Sequence, residues 1–206
     1  MKLLLLIALS LLEGPVPQYD LIEFSPVGTT TAGNPYLPYD PLPPSGVTPG
    51  VGATVDALYR APGAADWTVA PCFCYQPMEE FGGALLPVGE AGWRCRFAPD
   101  VVGRWTYKVR MVDAAGTRET PVSHFNCIAS DNKGFVTVSS EDSRFFEFSD
   151  DTPFLTPLVS MENSNPFNGL GRARSNLASL GAVRFVRWFP TGEGANYRVI
   201  PWGDDI

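Results

Sequence analysis

Through its first 130 positions the chain alternates bulky apolar residues with polar ones in short runs. In the stretch from Arg104 to Arg110, Trp105, Tyr107 and Val109 share one side of an extended strand, while Arg104, Thr106, Lys108 and Arg110 share the other. Comparable runs, rich in β-branched and aromatic residues, span Tyr19 to Phe24, Ala53 to Arg60, Trp67 to Tyr75, Trp93 to Phe97, Trp105 to Val112 and Val122 to Ile128. No helical period lies between them. Such a pattern fits two antiparallel sheets packed as a sandwich, with the period-two aromatics forming the core rather than a sugar-stacking platform. Residues 28–50 repeat Pro and Gly and read as one long surface loop.

After Asp131 the pattern changes. Lys133 to Val138 and Arg144 to Phe148 flank a polar turn and predict a β-hairpin, and a strand follows at Leu155 to Ser160. Leu170, Ala173, Leu177 and Leu180 then recur at three- and four-residue spacing, which predicts a helix ending at Gly181. Ala182 to Phe189 supplies another strand. Strand, helix and strand make a βαβ unit, whose two strands should be parallel with a right-handed crossover. The expected architecture is therefore multi-domain, an all-β sandwich of Ig size over residues 18–130 followed by an α/β segment over residues 131–206.

Composition narrows the function classes. The 206 residues carry 15 Lys and Arg against 22 Asp and Glu, a formal charge of -7. That balance repels phosphate backbones, so nucleic acid is not an expected partner. Met1-Lys2, the apolar run Leu3 to Leu12 and the break at Glu13-Gly14-Pro15 have the layout of a secretory signal, giving residues 1–17 as a leader and a secreted or periplasmic location. The run is shorter than the ~20 residues that span a bilayer, so no stable membrane span is expected.

Cys72, Cys74, Cys95 and Cys127 lack metal-type pairing, and His124 is the one histidine, so neither zinc nor any cofactor is expected. Asp204-Asp205 lacks calcium-loop spacing. In an exported chain the four cysteines suggest disulfides. Cys72 and Cys74 share a strand face and do not bond each other, which leaves Cys95 near one or the other, and one disulfide with two thiols is the expected state.

Two motifs carry a resemblance. Trp93, Phe97, Pro99-Asp100, Gly103, Trp105 and Tyr107 fit W-x-x-x-F-x-P-D-x-x-G-x-W-x-Y, which resembles the Ig-like domain preceding apiosidase-like glycoside hydrolase barrels; the loop Gly28 to Pro35, with Asn34-Pro35-Tyr36, is similar to an early loop of that domain. Gly134-Phe135-Val136, Phe145 to Leu155 and Asn176 to Trp188 resemble the opening of the (β/α)8 barrel itself, with Val183 standing where many relatives carry Asn. The resemblance implies an Ig-like sandwich followed by an incomplete α/β, TIM-barrel-like segment, the N-terminal part of an exported glycoside hydrolase acting on a polysaccharide or oligosaccharide. Its catalytic carboxylates would come from later strands beyond residue 206, so the fragment alone is expected to be inactive. Substrate contacts are expected at Arg187 and Trp188, near the end of a barrel strand, and at Glu162 and Asn163, after the preceding one. The other reading is a non-catalytic carbohydrate-binding or adhesion β-sandwich. Oligomeric state is open.

Overall fold

The computed structural model describes residues 8–9, 14–46, 48–82, 84–155, 158–161, 175, 178–179, 181 and 185–188. The first strands are β1 (Ala8–Leu9), β2 (Val16–Pro17), β3 (Ile22–Phe24), β4 (Pro26–Val27), β5 (Thr54–Arg60) and β6 (Thr68–Pro71). They are followed by β7 (Phe73–Tyr75), β8 (Met78–Phe81), β9 (Ala84–Pro87), β10 (Gly92–Phe97), β11 (Gly103–Asp113), β12 (Gly116–Glu119) and β13 (Ser123–Ile128). The last are β14 (Val136–Val138), β15 (Phe146–Phe148), β16 (Leu158–Met161) and β17 (Phe185–Trp188). The chain divides into two compact units, one of Met1–Pro77, Gly89–Thr137 and Phe148–Thr152, the other of Met78–Val88, Val138–Glu147 and Pro153–Ile206. No helix among the described residues is long and apolar enough to cross a membrane.

Besides the short antiparallel pair β1–β4, the first unit holds two larger sheets that pack as layers. One has the order β2-β13-β11-β5-β6, with β12 returning along β11, and the other the order β3-β10-β7. β11 is the spine of the larger sheet, antiparallel to both β5 and β13. Its alternation places Trp105, Tyr107, Val109, Met111 and Asp113 inside. Ile22 and Phe24 of β3 and Trp93, Cys95 and Phe97 of β10 close the core from the smaller sheet. Aromatic rings bridge the two layers. Tyr59 stacks on Phe97 at 4.7 Å, and Phe97 also meets Trp105 and Phe125, at 6.4 and 5.8 Å. The buried Trp105 indole donates to the Val101 carbonyl at 2.7 Å, so its polar edge is satisfied.

Trp67 to Tyr75 reads as one strand in the sequence, and the structure breaks it in two. β6 lies beside β5 in the larger sheet, whereas β7 lies beside β10 in the smaller. The break falls after Pro71, which has no N–H to donate to a ladder. Cys72 N–H then makes a last bond to the Val55 carbonyl at 2.8 Å before the chain crosses to the other layer.

The described residues of 28–50 contain no strand, as their Pro and Gly content implies, yet the loop is tied down. Asn34 N–H donates to the Val51 carbonyl, Ala53 N–H to the Leu37 carbonyl, and Tyr39 N–H to the Thr54 hydroxyl. The loop passes so close to Gly52 that any Cβ there would overlap the carbonyls of Leu37 and Pro38, which leaves glycine as the residue that fits.

In the second unit β8 and β9 form an antiparallel hairpin inside what reads in the sequence as a plain connection. β14 and β15 make the hairpin that follows the sandwich. β16 and β17 pair in parallel, with Leu158 opposite Phe185 and Met161 opposite Trp188. Between them, Ser175, Ala178 and Ser179 have helical backbone.

Candidate functional site

The parallel pair decides where the residues at the sequence-predicted site fall. Its register sets Arg187 beside Ser160 and Trp188 beside Met161, so both stand at the carboxyl end of the two-stranded sheet. In parallel α/β sheets that end is where loops converge on ligands. Glu162 and Asn163 follow β16 directly in the sequence but lie outside the described residues.

Cys72 sits where the chain crosses from β6 to β7, Cys74 on β7, Cys95 on β10 and Cys127 on β13. Cys72 is bonded to Cys95 of β10, while Cys74 and Cys127 are free thiols. Burial pushes the Cys74 thiol up, and a hydrogen bond with the Tyr36 hydroxyl offsets that only in part. Tyr36 is raised in turn, by burial first and then by Cys74. Burial and the nearby Asp100 carboxylate raise Cys127. Thiols held in the protonated form are poor nucleophiles, so neither suits covalent catalysis. Among the described residues no group of three or more His, Cys, Asp or Glu side chains stands ready for a metal ion.

Asp113 is the buried acid that the alternation alone does not announce. It closes the inward row of β11 at 1% exposure and takes hydrogen bonds from the Thr30 hydroxyl at 2.7 Å, the Thr31 N–H at 3.1 Å and the Ala115 N–H at 2.9 Å. Arg118 completes the set with Nη2 at 2.7 Å. Burial alone would raise its pKa; the guanidinium and the three donors outweigh it and hold the carboxyl well below the usual range. A carboxylate held ionised at neutral pH and fully engaged is a fastener for the Thr30–Thr31 loop rather than an acid or base. Beside the same loop, Leu37, Pro38, Val51 and Gly52, with Asp40 and Thr48, line an open pocket of about 170 Å³.

The outer face of the small sheet carries a different chemistry. Trp93, Cys95 and Phe97 point inward, so Arg94 and Arg96 point outward beside Glu23 of β3 and Phe73 and Tyr75 of β7. Arg96 Nε lies 2.5 Å from one Glu23 oxygen and Arg94 Nε 3.7 Å from the other. Each guanidinium also lies over a ring, Arg94 at 5.4 Å from the Tyr75 centroid and Arg96 at 4.9 Å from that of Phe73. Phe73 and Tyr75 remain 37% and 42% exposed. Sequence reasoning passed over this cluster, although the alternation of Trp93, Cys95 and Phe97 with two arginines is a legible signal for it. The period-two aromatics Trp105 and Tyr107 are buried in the core.

No protein-family model and no curated protein matches the sequence. Among solved structures, the chain is similar in fold to "a putative glycoside hydrolase" from Bacteroides vulgatus ATCC 8482, with a TM-score of 0.50 and 22% identity. The alignment covers 85% of this chain but only 28% of the length of that protein.

Proposed function

We propose that this chain is the N-terminal part of an exported glycoside hydrolase of the apiosidase-like kind, in which an Ig-like sandwich precedes the opening βαβ unit of a (β/α)8 barrel. The observation that carries the reading is the parallel register of β16 and β17, which sets Arg187 and Trp188 at the carboxyl end of the pair. Parallel sheets occur almost only where helices cover both faces, and the connection from Met161 to Phe185 is long enough for such a crossover. The glycoside hydrolase of similar fold supports the same reading. In this role Arg187 orients polar groups of the sugar and Trp188 supplies a stacking surface. The acid/base and nucleophilic or water-activating carboxylates would come from later strands. The Leu3 to Leu12 run and the Cys72–Cys95 disulfide support export, since such bonds persist in oxidising compartments.

The test has two arms. This chain alone should show no turnover on a panel of aryl glycosides and polysaccharides, because a pair of carboxylates at hydrolytic spacing needs strands it does not hold. In the longer enzyme that the proposal requires, R187A and W188A should each lower kcat/KM at least about tenfold, the scale of one lost transition-state contact. Turnover by the isolated chain that a point mutation within it abolishes would overturn the reading, as would an encoding frame that supplies no further barrel strands.

A further inference from the structure

The geometry points to a binding site for short uronic-acid oligosaccharides on the outer face of β3, β10 and β7, formed by Arg94 and Arg96 with Phe73 and Tyr75. Two guanidiniums face one carboxylate there, so this face is locally cationic on a chain whose formal charge is -7. Each arginine is already desolvated on its π face by a ring, which fixes its plane without using its in-plane N–H edges. Arg94 spends one Nη on the Ser25 hydroxyl. Arg96 meets Glu23 through Nε alone, and among the described residues its Nη atoms hold no hydrogen bond. The site therefore presents a pre-oriented fork toward solvent, and Glu23 shows the species it accepts: a planar carboxylate.

Phe73 and Tyr75 select the rest of the ligand. They stand two positions apart on one strand, on the same face and exposed, and offer apolar surface to the C–H side of a pyranose ring. A ligand combining carboxylate and pyranose is a sugar acid. A short oligomer suits the patch better than a long polyanion: held at the patch it is screened from charges beyond ~8 Å at 0.15 M ionic strength, whereas a long chain would run close along the surface of a protein of formal charge -7. The inference rests on the carbohydrate reading above. It is measured as binding to this chain without turnover, so its failure would leave the hydrolase proposal to the activity assay.

The experiment is isothermal titration calorimetry of the intact chain at 0.15 M salt. The probes are trigalacturonate, a neutral galactose trisaccharide and a sulfated neutral trisaccharide. Trigalacturonate should bind at least tenfold more tightly than the other two, and R94Q/R96Q should lose that preference while keeping the wild-type melting temperature. Should the double variant fold poorly, R96Q alone, at a half-exposed side chain, should weaken trigalacturonate at least threefold, and R96K should not restore it. Absence of trigalacturonate binding at millimolar concentration, equal affinity for the neutral sugar, tighter binding of the sulfated one, or unchanged binding by R96Q would each overturn the assignment.

Discussion

Asp113 shows how one side chain joins a loop to a sheet. Its side chain is fully buried, and four hydrogen-bonding partners depend on it, including a guanidinium that is itself only 16% exposed. Asp113→Asn keeps the shape but leaves Arg118 without its countercharge and replaces an acceptor oxygen by an NH₂ facing donors. Breaking one side of a buried pair costs about 3 kcal/mol or more, so urea unfolding of the variant should show a loss of that size at pH 7. The pH dependence follows from the lowered carboxyl. A folded-state value below the unfolded one stabilises the native state above about pH 4 to 5, and that contribution disappears as pH falls toward the folded value. The difference in stability between wild type and variant should therefore narrow below about pH 4; a difference constant between pH 7 and pH 3 would refute the ionised role.

At the scale of elements, the crossing between β6 and β7 is the point where the two layers are joined covalently. The Cys72–Cys95 bond closes a separation of 23 residues around the β8–β9 hairpin. In the chain-entropy account such a loop contributes about 3 kcal/mol, so C72S/C95S should lose stability of that order in denaturant unfolding. Alkylation of denatured, non-reduced protein followed by mass spectrometry should label Cys74 and Cys127 only. Four labelled cysteines, or insensitivity of the melting temperature to dithiothreitol, would contradict the linkage.

At the scale of the molecule, every member of the buried core among the described residues, from Ile22 to Cys127, belongs to the sandwich. A fragment of residues 14–130 retains that core, both of its sheets and the disulfide, and should unfold in a single cooperative thermal transition. A broad, non-cooperative melt would show that the sandwich depends on the following segment.

Which parts of this were legible beforehand follows from the range over which each cause acts. Alternation is local, so the inward rows of β10 and β11 were readable directly, as were the hairpin after Lys133 and the lack of strands among the described residues of 28–50. Sheet membership is not local. Trp67 to Tyr75 has one continuous pattern, and only packing against two different layers divides it at Pro71. The partner of Cys95 was likewise open between Cys72 and Cys74, because equal facing does not fix cross-strand register; the antiparallel pairing of β7 with β10 does. The anchoring of the Thr30–Thr31 loop by Asp113 joins positions 83 residues apart, and the Arg94, Arg96 and Glu23 cluster joins neighbouring strands that are distant in sequence. The order of residues determined which side chains turn inward, because that depends on a period of two along one strand; which of them meet was decided by tertiary structure, because hydrogen bonding between strands selects register and neighbour at once.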